Sequence, residues 1–206
     1  MHKRLPVWAF FLLLIPFSAY AQSAAPDTSF RRHFIGSSAF MLANLFPDKN
    51  PPAFIQLNYG YWLSKKDVLS VEAKTWQYRW PLGIPYGPSF QADPEEYPGR
   101  IKSFGLGVAY QRYFWKGLYA ATHATGFLQR YYVPEKPKPQ NGFQLFLTLR
   151  TGYHVRLFRD RFFVEPSLAA THWPVNTNVP AGFAQREAKW NNYFLFEPGL
   201  HFGVKF

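Results

Sequence analysis

The run Tyr193-Phe194-Leu195-Phe196-Glu197-Pro198-Gly199-Leu200-His201-Phe202-Gly203-Val204-Lys205-Phe206 decides the fold. Phe194, Phe196, Pro198, Leu200, Phe202, Val204 and Phe206 fall on one side of an extended chain. Tyr193, Glu197, Gly199, His201, Gly203 and Lys205 fall on the other. Successive side chains of a strand point to opposite faces, so the run predicts a strand with one apolar and one polar face. Residues 142–157 repeat the pattern, with Phe143, Leu145, Leu147, Leu149, Tyr153, Val155 and Leu157 set against Gln144, Thr148, Arg150, Gly152, His154 and Arg156. In 101–114, Phe104, Leu106, Val108, Tyr110 and Phe114 alternate with the small or polar Ser103, Gly105, Gly107, Ala109 and Gln111.

Working outward from these segments gives eight predicted strands, at 33–45, 52–64, 67–79, 101–114, 117–131, 142–157, 161–173 and 191–206. Segments 33–45 and 117–131 alternate least well. Tight turns at Ser64-Lys65-Lys66-Asp67, Trp115-Lys116-Gly117 and Phe158-Arg159-Asp160-Arg161 alternate with longer connections at 46–51, 80–100, 132–141 and 174–190, several of them Pro- and Gly-rich. Short turns at one end and long loops at the other are the pattern of a membrane barrel. A soluble barrel would turn its apolar face inward. Here the narrow, small-residue face is also the one carrying Arg150, His154, Glu165, Glu197, His201 and Lys205, which places polarity inside and Phe, Leu, Val and Tyr outside. The expected fold is all-β: an antiparallel up-and-down transmembrane β-barrel of about eight strands.

Residues 1–21 read as a cleaved secretory signal, with basic His2, Lys3 and Arg4, an apolar run from Val7 to Phe17 and a small-x-small site at Ala19-Tyr20-Ala21. Residues 22–32 are then a periplasmic tether and 33–206 the barrel, in the bacterial outer membrane. After Gln22 no apolar run is long enough for a membrane helix. The chain has no cysteine, which removes disulfides and thiol-ligated metal. Its 22 Phe, 13 Tyr and 7 Trp are more rings than a domain of this size buries easily, and they fit a lipid surroundings. The net charge of +11 is spread along the chain rather than gathered in a block. That spread, together with export, disfavours nucleic acid and favours anionic lipid or lipopolysaccharide phosphate as the counter-charge.

The last strand also resembles the sorting signal of outer-membrane barrels, whose final strand alternates and ends in an aromatic residue. By that resemblance Phe206 would be read by the barrel-assembly machinery. In architecture the whole chain resembles the small eight-stranded outer-membrane proteins of the OmpA/OmpX barrel type.

Three functional readings follow. The first is a structural or surface-interaction protein whose narrow interior is filled by an ionic core of Glu72, Lys74, Arg150, His154, Glu165, Glu197 and Lys205, since interior charges must be paired where water is scarce. The second is a lipid-modifying hydrolase, because pairing of the last two strands brings Glu165 and Ser167 beside His201, residue types able to act as orienter, nucleophile and base. The His-x-Ser pair of the outer-membrane lipid A deacylases has no counterpart, since His172 is followed by Trp173-Pro174 and His201 by Phe202-Gly203. The third is a soluble periplasmic barrel for a lipophilic ligand. No cofactor is implied, and the histidines lack the local spacing of a metal site.

Overall fold

The structure, a computed structural model, describes residues 30–45, 51–83, 96–134 and 136–206. The signal segment, most of the tether and parts of three long loops lie outside the described residues. Strands β1 (His33–Ser38), β2 (Ile55–Trp62), β3 (Asp67–Tyr78), β4 (Arg100–Trp115), β5 (Leu118–Tyr132), β6 (Gln140–Tyr153), β7 (Val155–Leu157), β8 (Phe162–Thr177) and β9 (Tyr193–Lys205) form one antiparallel sheet. Each strand from β1 to β6 pairs with the next, β6 pairs with β8, β8 with β9, and β9 with β1, so the sheet closes into a ring of eight strands. The ninth, β7, is the end of β6 after a break at His154, and it also pairs with β8. The break has a cause in Pro166. The β6 ladder stops at Gly152–Ser167 and the β7 ladder resumes at Val155–Val164, and between them Pro166 has no N–H to offer.

Two boundaries and one facing differ from the sequence reading. Segment 33–45 is a strand only to Ser38, then a 3-10 helix over Ala39–Leu45, whose side chains had no period-two pattern to keep it extended. The stretch 174–190, expected as loop, carries the end of β8 and a helix α1 (Ala181–Glu187). In β9 the alternation slips: Phe196 takes φ 56°, and the register moves from Ala169–Glu197 to Thr171–Phe194. That bulge places two successive residues, Leu195 and Phe196, on the exposed side and turns Phe194 toward the interior side with Thr171. Period two therefore holds from Glu197 to Phe206 but not across the whole run.

The tight turns follow local chemistry. Lys116 (φ 44°) and Gly117 (φ 101°) both have positive φ, the geometry whose twist matches two right-twisted strands. At Ser64 the hydroxyl accepts from the amides of Lys66 and Asp67 and donates to the Asp67 carboxylate at 2.6 Å. That turn is stapled from within.

Outside, the wall of the ring is apolar. Leu57, Leu69, Val71, Phe104, Leu106, Val108, Leu128, Leu147, Leu149, Leu168, Leu200, Phe202 and Val204 are all exposed. Inside, packing is layered. At the turn end Trp62, Val68, Tyr113, Tyr119 and Ala121 pack with Phe34. At the loop end Tyr78, Tyr97, Ile101, Tyr131 and Phe183 form a second cluster. Between the clusters lies the polar middle.

Candidate functional site

The polar middle exists because β4 gives way. Its inward residues Ser103, Gly105, Gly107 and Ala109 project almost nothing, so side chains from β3 and β5 meet in front of it. A Cβ at Gly107 would come within 2.9 Å of the Ala124 carbonyl and 2.5 Å of Thr125 Oγ1. In that space the buried Glu72 of β3 is held by Lys74 at 2.7 Å and by His123 of β5 at 3.0 Å.

A second group centres on Glu165 of β8. It accepts from Tyr113 at 2.9 Å and Gln111 at 3.1 Å, and shares a hydrogen bond of 2.6 Å with His154 Nδ1. A third centres on Arg150 of β6, whose Nη1 donates to Ser167 Oγ at 3.0 Å and to His201 Nδ1 at 3.3 Å. A Cβ at Gly199 would stand 2.5 Å from that same nitrogen, so the glycine makes room for the guanidinium. Lys205 lies nearer the turn end, paired with Asp160 at 2.7 Å and resting 4.8 Å above the Trp62 ring.

The expected ionic core is thus divided. Arg150 faces Ser167 and His201, Lys205 faces Asp160, and the Glu197 carboxylate accepts from Thr171 at 3.2 Å. Inward facing could be read from period two, but which inward side chains meet depends on strand stagger, which pairs residues far apart in sequence. His123, Asp160, Tyr113 and Gln111 were missed as partners. The signal for His123 was its inward position on β5, hidden because the outward Ala120, Thr122, Ala124 and Gly126 are too small to mark an apolar face.

As a catalytic arrangement the cluster is incomplete. Glu165 and His201 are cross-strand partners, yet the Glu165 carboxylate turns to His154 and Tyr113. The Ser167 hydroxyl donates to the Gly199 carbonyl at 3.3 Å, and His201 receives Arg150 rather than Ser167. No hydrogen bond joins Ser167 to His201 among the described residues, so no base draws on the hydroxyl, as nucleophilic catalysis requires. The adjoining cavity, lined by Glu72, Tyr119, His123, Arg150 and His201 among others, has about 30 Å³. That is room for one or two waters, not for an acyl chain. Among the described residues no group of three His, Cys, Asp or Glu is disposed to hold a metal.

Above this middle, Gln129 and Gln144 bridge Tyr78, and Tyr131 donates to Gln129. Helix α1 lies over that layer. Its fully buried Phe183 stacks on Tyr97 with centroids 4.7 Å apart and meets Tyr131 edge-on at 5.3 Å. Glu187 accepts from Tyr97 at 2.9 Å and from Asn176 at 2.8 Å. Burial raises the Glu187 carboxyl above its usual range, against these two hydrogen bonds, which pull it down. A carboxyl with a raised folded-state pKa favours the protonated form. The helix therefore docks most firmly below the usual carboxylate range and loosens as pH rises through the raised value. Glu187→Gln keeps an acceptor oxygen for Asn176 and places an amide N–H that can donate to the Tyr97 oxygen, without the charge. It should abolish that pH dependence and slow exchange of the α1 amides at neutral pH, as hydrogen-exchange measurements on both sides of the carboxylate range will show. Faster exchange in the variant would contradict this account.

The fold and its filled interior define a closed eight-stranded antiparallel barrel with an apolar outer wall and a polar core. Comparison with family models and with curated proteins gives no match.

Proposed function

We propose that the chain is an integral outer-membrane β-barrel protein, exported through a cleaved signal, with a structural or surface-interaction role and a lumen closed by its own side chains. The observation that carries this reading is the inversion of polarity, an apolar exposed wall around ionised and amide side chains. In water such a wall would be an aggregation liability; in lipid it is the favourable face.

The height of the wall supports the same reading. On β4 the outward ladder runs Lys102, Phe104, Leu106, Val108, Tyr110, Arg112. Two cations ten residues apart bracket it. At a rise of about 3.4 Å per residue and a tilt of about 40°, that separation spans about 26 Å along the barrel axis, against an apolar band of about 25 Å in outer-membrane barrels. Exposed Tyr59, Tyr110, Phe114, Trp115, Tyr153, Phe158 and Phe206 gather toward the turn end, like the aromatic girdle at a membrane interface. Phe206 hydrogen-bonds through its backbone to His33 and stacks on that ring at 5.8 Å. Its proposed role as the signal to the assembly machinery uses an exposed side chain.

The interior favours a structural role over a hydrolase or a carrier of lipophilic ligands, because the cavity beside Arg150 and His201 has no volume for either substrate. The test is insertion into lipid. The chain should float with neutral phospholipid vesicles after a high-salt or carbonate wash and migrate faster unheated than heated on a gel. Leu106→Arg, at the middle of the band, should destabilise the inserted barrel by about 2–4 kcal/mol in urea titrations. Recovery of the parent in the soluble fraction would end the membrane reading.

A further inference from the structure

The two ends of the outer wall are not treated alike. At the turn end, outward Arg112 is neutralised by Asp67 at 2.8 Å, with Tyr110 also bonded to that carboxylate at 2.6 Å. At the loop end, outward Arg100, Lys102 and Arg130 are all exposed, and none has an acidic partner among the described residues. Lys102 and Arg130 are direct cross-strand partners, and Arg100 is the partner of Tyr132. Both Arg100 and Lys102 lie over the Tyr132 ring, at 5.2 and 5.5 Å. One ring thus gathers two cations on the side of the third.

Like charges directly opposite on a sheet repel and destabilise it. Among the described residues no carboxylate compensates this repulsion, in contrast to Arg112. Gly99 helps to build the cluster, since a Cβ there would run into the Tyr132 carbonyl, so only glycine allows the start of β4 so close to that residue. Turnward of the cations the wall is apolar at once, with Phe104 and Leu128 next on the two ladders. A shallow apolar groove of about 540 Å³ follows, lined by Leu106, Val108, Val71, Ala73 and Ala124.

We propose that Arg100, Lys102 and Arg130 bind the phosphate of a phosphorylated lipid headgroup in the leaflet at the loop end, with one of its acyl chains lying along the Leu106/Val108 groove. This site rests on the membrane reading above and adds to it a lipid partner of defined chemistry. Charge complementarity selects the occupant. Three donors without an acidic partner among the described residues call for a multiply charged anion, guanidinium groups match phosphate oxygens in a forked geometry, and an apolar groove at the level of the band requires that the anion carry hydrocarbon.

The test uses the whole chain purified in a neutral detergent, with bisphosphorylated lipid A as the probe and its dephosphorylated form and inorganic phosphate as the two comparisons. Bisphosphorylated lipid A should raise the temperature at which the unheated gel mobility is lost. The dephosphorylated lipid and inorganic phosphate should raise it much less. Lys102→Gln/Arg130→Gln should bind the phosphorylated lipid at least about tenfold more weakly, whereas Lys65→Gln/Lys66→Gln, which removes the same charge from a turn, should bind it as the parent does. Equal stabilisation by the dephosphorylated lipid, equal loss in the turn variant, or unchanged binding by Lys102→Gln/Arg130→Gln would each overturn the site. Inorganic phosphate acting as well as the lipid would overturn the lipid as occupant. Flotation with neutral vesicles separates the two failures: a parent that inserts but ignores the phosphorylated lipid refutes only the site, and one that does not insert refutes the membrane reading itself.

Discussion

Replacing Glu72 with Ala should cost the barrel about 3–5 kcal/mol, the usual result of removing one member of a buried ion pair. Glu72 is almost wholly buried, and the side chain of its partner Lys74 is 17% exposed. Without the carboxylate the Lys74 ammonium is left on the inner face with no ion-pair partner among the described residues. Glu165→Ala should cost less, about 1–3 kcal/mol, because the groups it abandons include the neutral donors Tyr113 and Gln111, and an orphaned buried donor costs about that much. Ser167→Ala should cost no more than about 1.5 kcal/mol, the worth of an ordinary hydrogen bond. Urea titration of the three variants in the same bilayer checks the order. The double variant Glu72→Ala/Lys74→Met should recover much of the loss, since it removes the stranded charge with its partner. A Glu72→Ala barrel as stable as the parent would show that the pair does not hold the middle of the ring. A Ser167→Ala variant that kept its stability but lost a lipid-hydrolysing activity of the parent would return the Ser167 and His201 reading to consideration.

What could be read in the sequence was what repeats along one strand, and what could not was what depends on two. Alternation at Phe104-Gly105-Leu106-Gly107-Val108 showed both that β4 is a strand and that its inner face is small. Eight strands and the placing of turns followed from the same periodicity. Facing was lost where period two is broken by backbone geometry, as at Phe196, because a bulge is set by the register of two strands rather than by a local residue pattern. Pairing inside the ring was lost for a related reason. Glu165 lies opposite His201 in one ladder and beside His154 at the β6–β7 break on its other side, yet its partners Tyr113 and Gln111 reach it across the lumen from β4, and nothing in a one-dimensional pattern ranks such contacts. The cation cluster at Lys102 and Arg130 was visible only as scattered charge, since its two members are 28 residues apart in sequence and meet through the β4–β5 hairpin.

Helix α1 was illegible for another reason, and the same reason makes Phe183→Ala the second large effect. The helix has seven residues, Pro180 at its N-cap makes no side-chain capping bond, and no acidic residue stands in its first turn. Isolated helices of fewer than about 12 residues are marginal even in good sequences. Its order therefore comes from docking, and the docking centres on Phe183, held among Tyr78, Tyr97, Ile101 and Tyr131. Truncating a buried phenylalanine to alanine typically costs about 3–5 kcal/mol, more than so short a helix can withstand. The expected outcome is local: α1 undocks, its amides lose exchange protection, and the 178–192 segment becomes open to protease, while the strands keep their protection and the unheated gel mobility is unchanged. Phe183→Leu, which refills most of the site, should restore most of the protection. Ion conductance in planar bilayers should stay at background in both variants, because the Tyr78, Gln129, Gln144 and Tyr131 layer still closes the lumen beneath the helix. A conducting Phe183→Ala barrel would mean that α1, not the side-chain layer, is the seal. Unchanged protection of the α1 amides would mean that the helix is held by something other than Phe183.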